Sequence, residues 1–285
     1  MAPVVARSRA SLGASRVSRR LPVRDFVPRL LPRLGDYWAT VYRRTWRGSV
    51  ITSFLMPFLY LAAMGIGLGG FVDDNAGAQQ LDGSSYLAFI APGLLATTAM
   101  LTAVGEATYP VMSGFKWQRF YFSMAASPLR VADIVAGQVL FLLFRIALSC
   151  AVFVAVMAAF GAVDTWWGGL LALLVVIVLG AAYGAPTVAL TARLKNESGF
   201  SLIFRLGLMP MFLFSGAFFP ISQLPDVAAW AARVTPIWHG VELCRMLTTD
   251  EVAALPAVGH VAYLLLWAAV GWYLAVTGFA KRLAQ

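Results

Sequence analysis

The 285-residue chain is 60% hydrophobic and only 12% charged, with a mean hydropathy of +0.76, whereas soluble domains are about half apolar and a quarter charged. These values exclude a soluble enzyme, a disordered protein and a fibre, and they indicate a polytopic membrane protein. The net charge of +9 does not by itself point to nucleic acid, because half of the 22 basic residues precede Gly48, ahead of the first apolar span.

Residues 1–25 form an arm rich in Arg, Ser and Ala, with no acid before Asp25 and no apolar segment suited to a secretory signal. Organellar transit peptides share that composition. The reading preferred here is a disordered cytoplasmic arm held by the positive-inside rule. Residues 26–48 follow as an interfacial helix. Leu30, Leu34, Trp38, Tyr42 and Trp46 recur every four residues, and Arg29, Arg33, Arg43, Arg44 and Arg47 fill much of the rest. An apolar face opposed to an arginine face suits a helix lying in the headgroup plane. A plain solvated juxtamembrane stretch is the alternative, and Pro28 and Pro32 blur where the helix begins.

Residues 49–285 form the transmembrane domain. A crossing helix needs about 20 mostly apolar residues, and the stretches between charges predict six: Ser49–Gly70; Gly83–Gly105, continuing to about Gly114; Val131–Phe160; Thr165–Ala192; Ser201–Phe219; and Val252–Ala280. Charge then sets the orientation. Eleven arginines precede span one, whereas the loop after it carries Asp73, Asp74 and Asp82 and no base. Lys116, Arg119 and Arg130 follow span two, Arg193 and Lys195 follow span four, and Lys281 and Arg282 follow span six. Every second loop is basic, which places both termini in the cytoplasm.

Two segments are neither span nor simple loop. In Phe115–Arg130, Trp117, Phe120, Tyr121 and Met124 stand at i, i+3, i+4 and i+7, which predicts a short helix with one aromatic face. Ser127-Pro128 is expected to stop it and cap the next helix. Such a helix either rests on lipid or docks into a groove of a cytoplasmic partner. The stretch Phe218–Thr249 is too long for a bare loop. Its prolines Pro220, Pro225 and Pro236 predict two short external or re-entrant helices, Asp226–Val234 and Ile237–Leu247, with Glu242 and Arg245 one turn apart and able to pair.

Catalytic chemistry is not legible. A P-loop needs Gly-Lys before Ser or Thr, and the three lysines, Lys116, Lys195 and Lys281, follow Phe115, Leu194 and Ala280. The run Gly65–Gly70 lacks the strand–turn–helix setting of a dinucleotide fingerprint. The pairs Gly65/Gly69 and Gly180/Gly184 instead suit close helix packing. His239 and His260 have no acid or cysteine at ligand spacing, so no metal site is expected, and Cys150 and Cys244 are expected to be free. Glu106 and Arg145 lie inside predicted spans. Such groups face a bundle interior or a polar path, so the two belong either to a substrate route or to a structural pair.

Two stretches carry a family resemblance. Phe115-Lys116-Trp117-Gln118-Arg119 through Ser127-Pro128-Leu129-Arg130 to Asp133–Gln138 is similar to ABC type-2 exporter permeases. Phe214-Ser215-Gly216-Ala217-Phe218-Phe219-Pro220, Gln223-Leu224-Pro225 and Thr235–Arg245 resemble that family's signature before its last span, closest to the branch of lipooligosaccharide and daunorubicin-type exporters. The resemblance runs from about Phe26 to Lys281. It implies an elbow helix, six spans and a coupling helix after span two. It also implies two permease halves, identical or not, working with two copies of a separate ATPase that binds ATP and Mg. The coupling residues would then be Lys116, Trp117, Arg119, Phe120, Tyr121 and Met124. The external motif would comprise Gly216, Pro220, Pro225, Pro236, Glu242 and Arg245. This chain itself is expected to bind no cofactor and to be no enzyme.

Long apolar spans favour a lipid-like, glycolipid or hydrophobic drug cargo, and the Ala- and Arg-rich composition suggests a bacterial plasma membrane. An ion- or proton-coupled secondary carrier is the competing reading. Such carriers place titratable groups and broken helices at the midplane, often in repeats; here only Glu106 and Arg145 qualify, and no repeat is visible.

Overall fold

The computed structural model describes residues 85–250 and 252–284, with a few positions between 40 and 68. The expected arm, most of the elbow helix and about half of span one therefore lie outside the described residues, as does Gly69 of the first glycine pair. Among the described residues the chain is helical throughout, without strands.

Among the described residues, four helices are long and apolar enough to cross a membrane. The first runs over Tyr86–Lys116 in two pieces, α1 (Tyr86–Ala107) and α2 (Tyr109–Lys116). They meet at Thr108, just before Pro110, which has no N–H to donate and breaks the hydrogen-bond ladder. The carbonyl of Ala107, beside this break, accepts from the Thr191 hydroxyl at 2.8 Å. After the short α3 (Phe120–Ala125) come α4 (Val131–Ala159) and α5 (Trp166–Arg193). The remaining helices are α6 (Ser198–Leu213), α7 (Asp226–Val234), α8 (Pro236–Thr248) and α9 (Ala254–Leu283).

The expected spans two, three, four and six correspond to α1–α2, α4, α5 and α9. The fifth differs. Its helix closes at Leu213, not Phe219, and is 16 residues by its bounds with a π-helical stretch over Ile203–Leu208. At 1.5 Å per residue it spans about 24 Å, short of the ~30 Å hydrocarbon core. The cause of the early stop is local. Ser215 Oγ donates to the Phe212 carbonyl and accepts from the Ala217 N–H, and Gly216 turns the chain with φ +80°.

Helix α5 is the hub, packed by α9, α1, α4 and α8. Small residues make this possible. A Cβ added at Gly180 or Gly184 would lie 2.5 Å from Ile146 or 2.8 Å from Leu142 of α4, so the expected packing role of this pair is met. On its other side α5 presents Pro186 to Gly271 of α9, where an added Cβ would come within 2.3 Å of the proline ring.

Charges separate the two ends of the bundle. Lys116, Arg119, Arg130, Arg193, Lys195 and Arg282 fall at the ends or in the connections on one side, where Lys116 meets Glu197 and Arg282 meets the end of α5. The opposite end holds α7, α8 and the turn before α5, fastened by the Asp164 N–H donating to the Thr248 carbonyl at 3.0 Å.

Candidate functional site

At the basic end, the segment between α2 and α4 departs from the single aromatic face predicted for it. Trp117 lies outside both short helices and is 55% exposed, while Arg119, in the left-handed region (φ 55°), swings the chain into α3. Tyr121 turns fully inward, against Phe115 and Phe279, and its hydroxyl donates to Gln138 Oε1 at 2.7 Å. Gly114 makes this possible, since a Cβ there would sit 2.3 Å from the Tyr121 ring. Phe120 and Met124 are half-buried against the same core. The periodicity was blind to Arg119, whose left-handed backbone ends the helical register that the spacing assumed. What faces outward is Lys116, Trp117, Gln118 and Arg119, then Ser123 and Ala125–Pro128.

Lys116 is itself engaged. Its ammonium donates to Glu197 Oε2 at 2.7 Å, joining the connection after α2 to that before α6. This bond holds the exposed Glu197 carboxyl below its ordinary range. The next helix also starts later than Ser127-Pro128 predicts. Ser127 Oγ closes α3 by donating to the Met124 carbonyl, and α4 opens at Val131, where Asp133 accepts from the Arg130 N–H at 3.0 Å.

One residue at this end carries a role that the sequence marks only as a topological charge. Arg282, near the end of α9, donates to the carbonyls of Thr191 and Leu194 at 2.9 Å each and of Ala192 at 3.3 Å. Its guanidinium also lies 4.3 Å from the centre of the Phe115 ring. It thus caps the C-terminus of α5, satisfying carbonyls that have no helical partner and meeting the negative end of the helix dipole. A base in the last turn of a final helix is the signal, although nothing in the sequence names the helix it caps.

Inside the bundle the structure brings Glu106 and Arg145 together, Oε1 to Nη2 at 2.9 Å, linking α1 to α4. Their side chains keep 20% and 24% of their surface exposed, so the pair is neither sealed nor free.

At the opposite end, Arg245 is the centre of the signature segment. It donates to Glu242 Oε1 at 2.9 Å, as the spacing predicts, and through its other terminal nitrogen to the Gly216 carbonyl at 2.9 Å. Its guanidinium also lies 4.1 Å from the centre of the Phe89 ring in α1. Burial pulls the Arg245 pKa below its usual value while the Glu242 carboxylate opposes the shift. Gly216 is needed twice over, for its positive φ and because an added Cβ would lie 3.1 Å from Ile221. Pro220 precedes a short 3₁₀ turn, Pro225 stands at the N-cap of α7 and Pro236 opens α8. The two short helices predicted before the last span are therefore present as α7 and α8. Close packing carries this motif onto the bundle: a Cβ at Gly93 of α1 would fall 2.6 Å from Ala217 Cα.

His239 and His260 had no partners in the sequence reading, yet their Nδ1 atoms lie 2.6 Å apart, joining α8 to α9. The Tyr263 ring stacks on His239 at 4.0 Å, and the Tyr263 hydroxyl donates to the Val234 carbonyl at the end of α7. The 21-residue separation of the two histidines concealed this contact. Among the described residues no three His, Cys, Asp or Glu side chains converge as a metal centre would require. Cys150 and Cys244 are free and buried, as expected.

The arrangement is that of a membrane-embedded helical bundle with fastened ends and an ion pair between α1 and α4. Comparison with known proteins identifies it further. The profile of the ABC-2 type transporter family matches residues 37–248. Nodulation protein J of Rhizobium leguminosarum bv. trifolii is 31% identical over 255 residues, covering 87% of this chain and 94% of that protein. Nodulation protein J of Sinorhizobium fredii (strain NBRC 101917 / NGR234) is 30% identical over 261 residues, covering 89% and 97%. That of Rhizobium meliloti (strain 1021) is 29% identical, covering 89% and 96%. With a family match over most of its length and relatives aligned nearly end to end, this multi-pass membrane chain belongs to the ABC-2 type transporter family.

Proposed function

We propose that this chain is the permease subunit of an ATP-driven exporter that moves a lipid-like, glycolipid or hydrophobic drug cargo out of the cytoplasm or the inner leaflet. The observation that carries it is family membership over residues 37–248 in a chain whose three lysines lie in no Walker motif. ATP and Mg are therefore assigned to a separate ATPase, in two copies, beneath two permease halves. The six-span count, with the short α6 and the turn that follows it taken together as the fifth crossing, belongs to this reading, as do an elbow helix ahead of span one and a bacterial plasma membrane with both termini on the cytoplasmic side. The clustering of Lys116, Arg119, Arg130, Arg193, Lys195 and Arg282 at one end supports that orientation.

In this reading the segment Lys116–Pro128 receives motion from the ATPase. Exposed Trp117 and Arg119 offer an aromatic and a cationic anchor, and buried Tyr121, wedged between Phe115 and Phe279, connects the anchor to α9 and, through Gln138, to α4. The Glu106–Arg145 pair is the polar point on which an apolar route turns. The external motif around Gly216, Pro220, Pro225, Pro236, Glu242 and Arg245 covers the far end of that route.

The cargo class rests on the apolar character of the crossing helices and on the resemblance to the lipooligosaccharide and drug exporter branch. Reconstitution with its partner ATPase tests the whole reading. Vesicles containing both chains should translocate a fluorescent glycolipid only with ATP and Mg. Transport driven by a proton gradient in the absence of ATP would instead favour the ion-coupled carrier.

A further inference from the structure

Between α5, α8 and α9 lies a cavity of about 280 Å³ lined by nine residues, all aliphatic. Leu243, Leu247, Val261 and Leu264 belong to its wall, together with Leu171 and Leu174 of α5. The lining is graded. Leu264 and Leu243 are 0% and 2% exposed, whereas Leu171 and Leu174 are 39% and 54% exposed, so the cavity has a closed floor and an open rim. The rim continues into the exposed Leu170 of α5 and the exposed Val258 and Leu265 of α9, the apolar surface that these helices turn toward the bilayer.

Depth narrows the occupant. Helix α5 begins at Trp166, 83% exposed, beside Trp167, the residue type that marks a membrane–water interface. Leu171 and Leu174 lie five and eight residues further along, hence about 7.5 and 12 Å deeper at 1.5 Å per residue. Val261 and Leu264 lie seven and ten residues into α9, about 10 and 15 Å from its start. Half of a ~30 Å hydrocarbon core contains that whole range. The cavity therefore opens sideways at the level of acyl chains, in the leaflet on the Trp166 side. Its volume falls below that of typical drug-sized pockets, and no polar side chain lines it to orient a headgroup or a sugar.

From this we infer that the cavity is a binding site for one acyl chain of a bilayer glycerophospholipid, held between α5, α8 and α9 with its headgroup outside. The bound chain fills the gap between the re-entrant helix α8 and the last crossing helix, and it acts as a lipid wedge at this end of the bundle. The site is distinct from the Glu106–Arg145 pair and holds structural lipid, not cargo.

The full-length protein in phosphatidylethanolamine–phosphatidylglycerol vesicles, doped with a phosphatidylcholine carrying a mid-chain diazirine, tests this. After illumination, adducts should concentrate on the peptides containing residues 171–178 and 257–264. Val261→Trp, which places a ring in the cavity, should lower those adducts several-fold and leave labelling of the exposed Leu140–Phe144 face of α4 unchanged; Ala257→Phe is a second filling variant from the same wall. Adducts on the wild-type protein spread in proportion to surface exposure would mean annular lipid only and overturn the site. So would unchanged adducts in a folded filling variant. Displacement of the adducts by added glycolipid but not by added phospholipid would assign the cavity to cargo, and that too would overturn the proposal.

Discussion

His239 and His260, the two histidines of the chain, face each other Nδ1 to Nδ1 at 2.6 Å, so one ring donates a proton that the other accepts. The contact holds the short helix α8 against α9 and requires at least one neutral ring. Burial, followed by the neighbouring His260, pushes His239 down from 6.5 to about 4; the Arg233 backbone works in the other direction.

The sign of the pH effect follows. Folding lowers the His239 pKa, so between about 6.5 and 4 the unfolded chain binds more protons and the folded state loses stability as pH falls. Above about 6.5 the contribution is complete. Glu242 and Tyr263 are the other titratable groups facing the pair. The unfolding midpoint of the purified protein should hold level from pH 8 to 7 and fall from pH 6 to 4. In His239→Gln that decline should be shallower, and an equal decline in the variant would remove the pair as its cause.

The Glu106–Arg145 bridge yields a second test. Removing one partner of a buried pair leaves an uncompensated charge, costing about 3–5 kcal/mol, with the lower end expected here because both side chains retain some exposure. Glu106→Gln and Arg145→Met should each lower thermal stability. The double variant should recover most of the loss, because no lone charge remains. If the double variant regains stability but not transport, the pair lies on the route; if it regains both, the pair is structural.

Much of this architecture was legible in the sequence because bilayer thickness imposes it. Long apolar runs with few internal charges marked α1–α2, α4, α5 and α9, and Pro225 and Pro236 marked the starts of α7 and α8. The pairing of Glu242 with Arg245 followed from helical spacing. What escaped were contacts between elements. Nothing local says that Arg282 reaches the end of α5, that His239 meets His260, or that Gly114 opens a place for Tyr121. The shortened fifth helix was missed because hydropathy continues through Phe218 and Phe219, whereas the backbone is ended by Ser215 and Gly216.

Arg282 makes a third prediction possible. Three carbonyls at the end of α5 depend on its guanidinium, and hydrogen bonds to a charged group contribute about 1.5–3 kcal/mol. Arg282→Ala should therefore lower stability by roughly that amount. Arg282→Lys should recover only part of it, because an ammonium lacks the planar fork that reaches several acceptors while covering Phe115. Full recovery by lysine would show that charge alone is needed. Thermal unfolding of the three proteins in one detergent decides.

The coupling assignment is tested at the residues that face outward. Replacing Tyr121 would not isolate docking, because its ring is wholly buried and its hydroxyl holds Gln138; loss of ATPase binding could then follow from loss of structure. Trp117 and Arg119 are exposed and lie outside the buried core, the Arg119 guanidinium resting 5.3 Å from the centre of the Phe122 ring. A central interface aromatic commonly costs about 2 kcal/mol or more when truncated, and reversing a rim charge weakens encounter with a complementary patch. Trp117→Ala with Arg119→Glu should therefore release the ATPase during co-purification, or abolish cargo-stimulated hydrolysis, while membrane insertion and unfolding temperature stay at wild-type values. Gln138→Leu, which removes the Tyr121 acceptor, is the contrasting variant. It should lower the unfolding temperature and leave the exposed anchor in place, so the ATPase should still co-purify from the folded fraction. If the double variant retains normal ATPase binding and normal stimulation, the ATPase contact lies elsewhere than Lys116–Pro128.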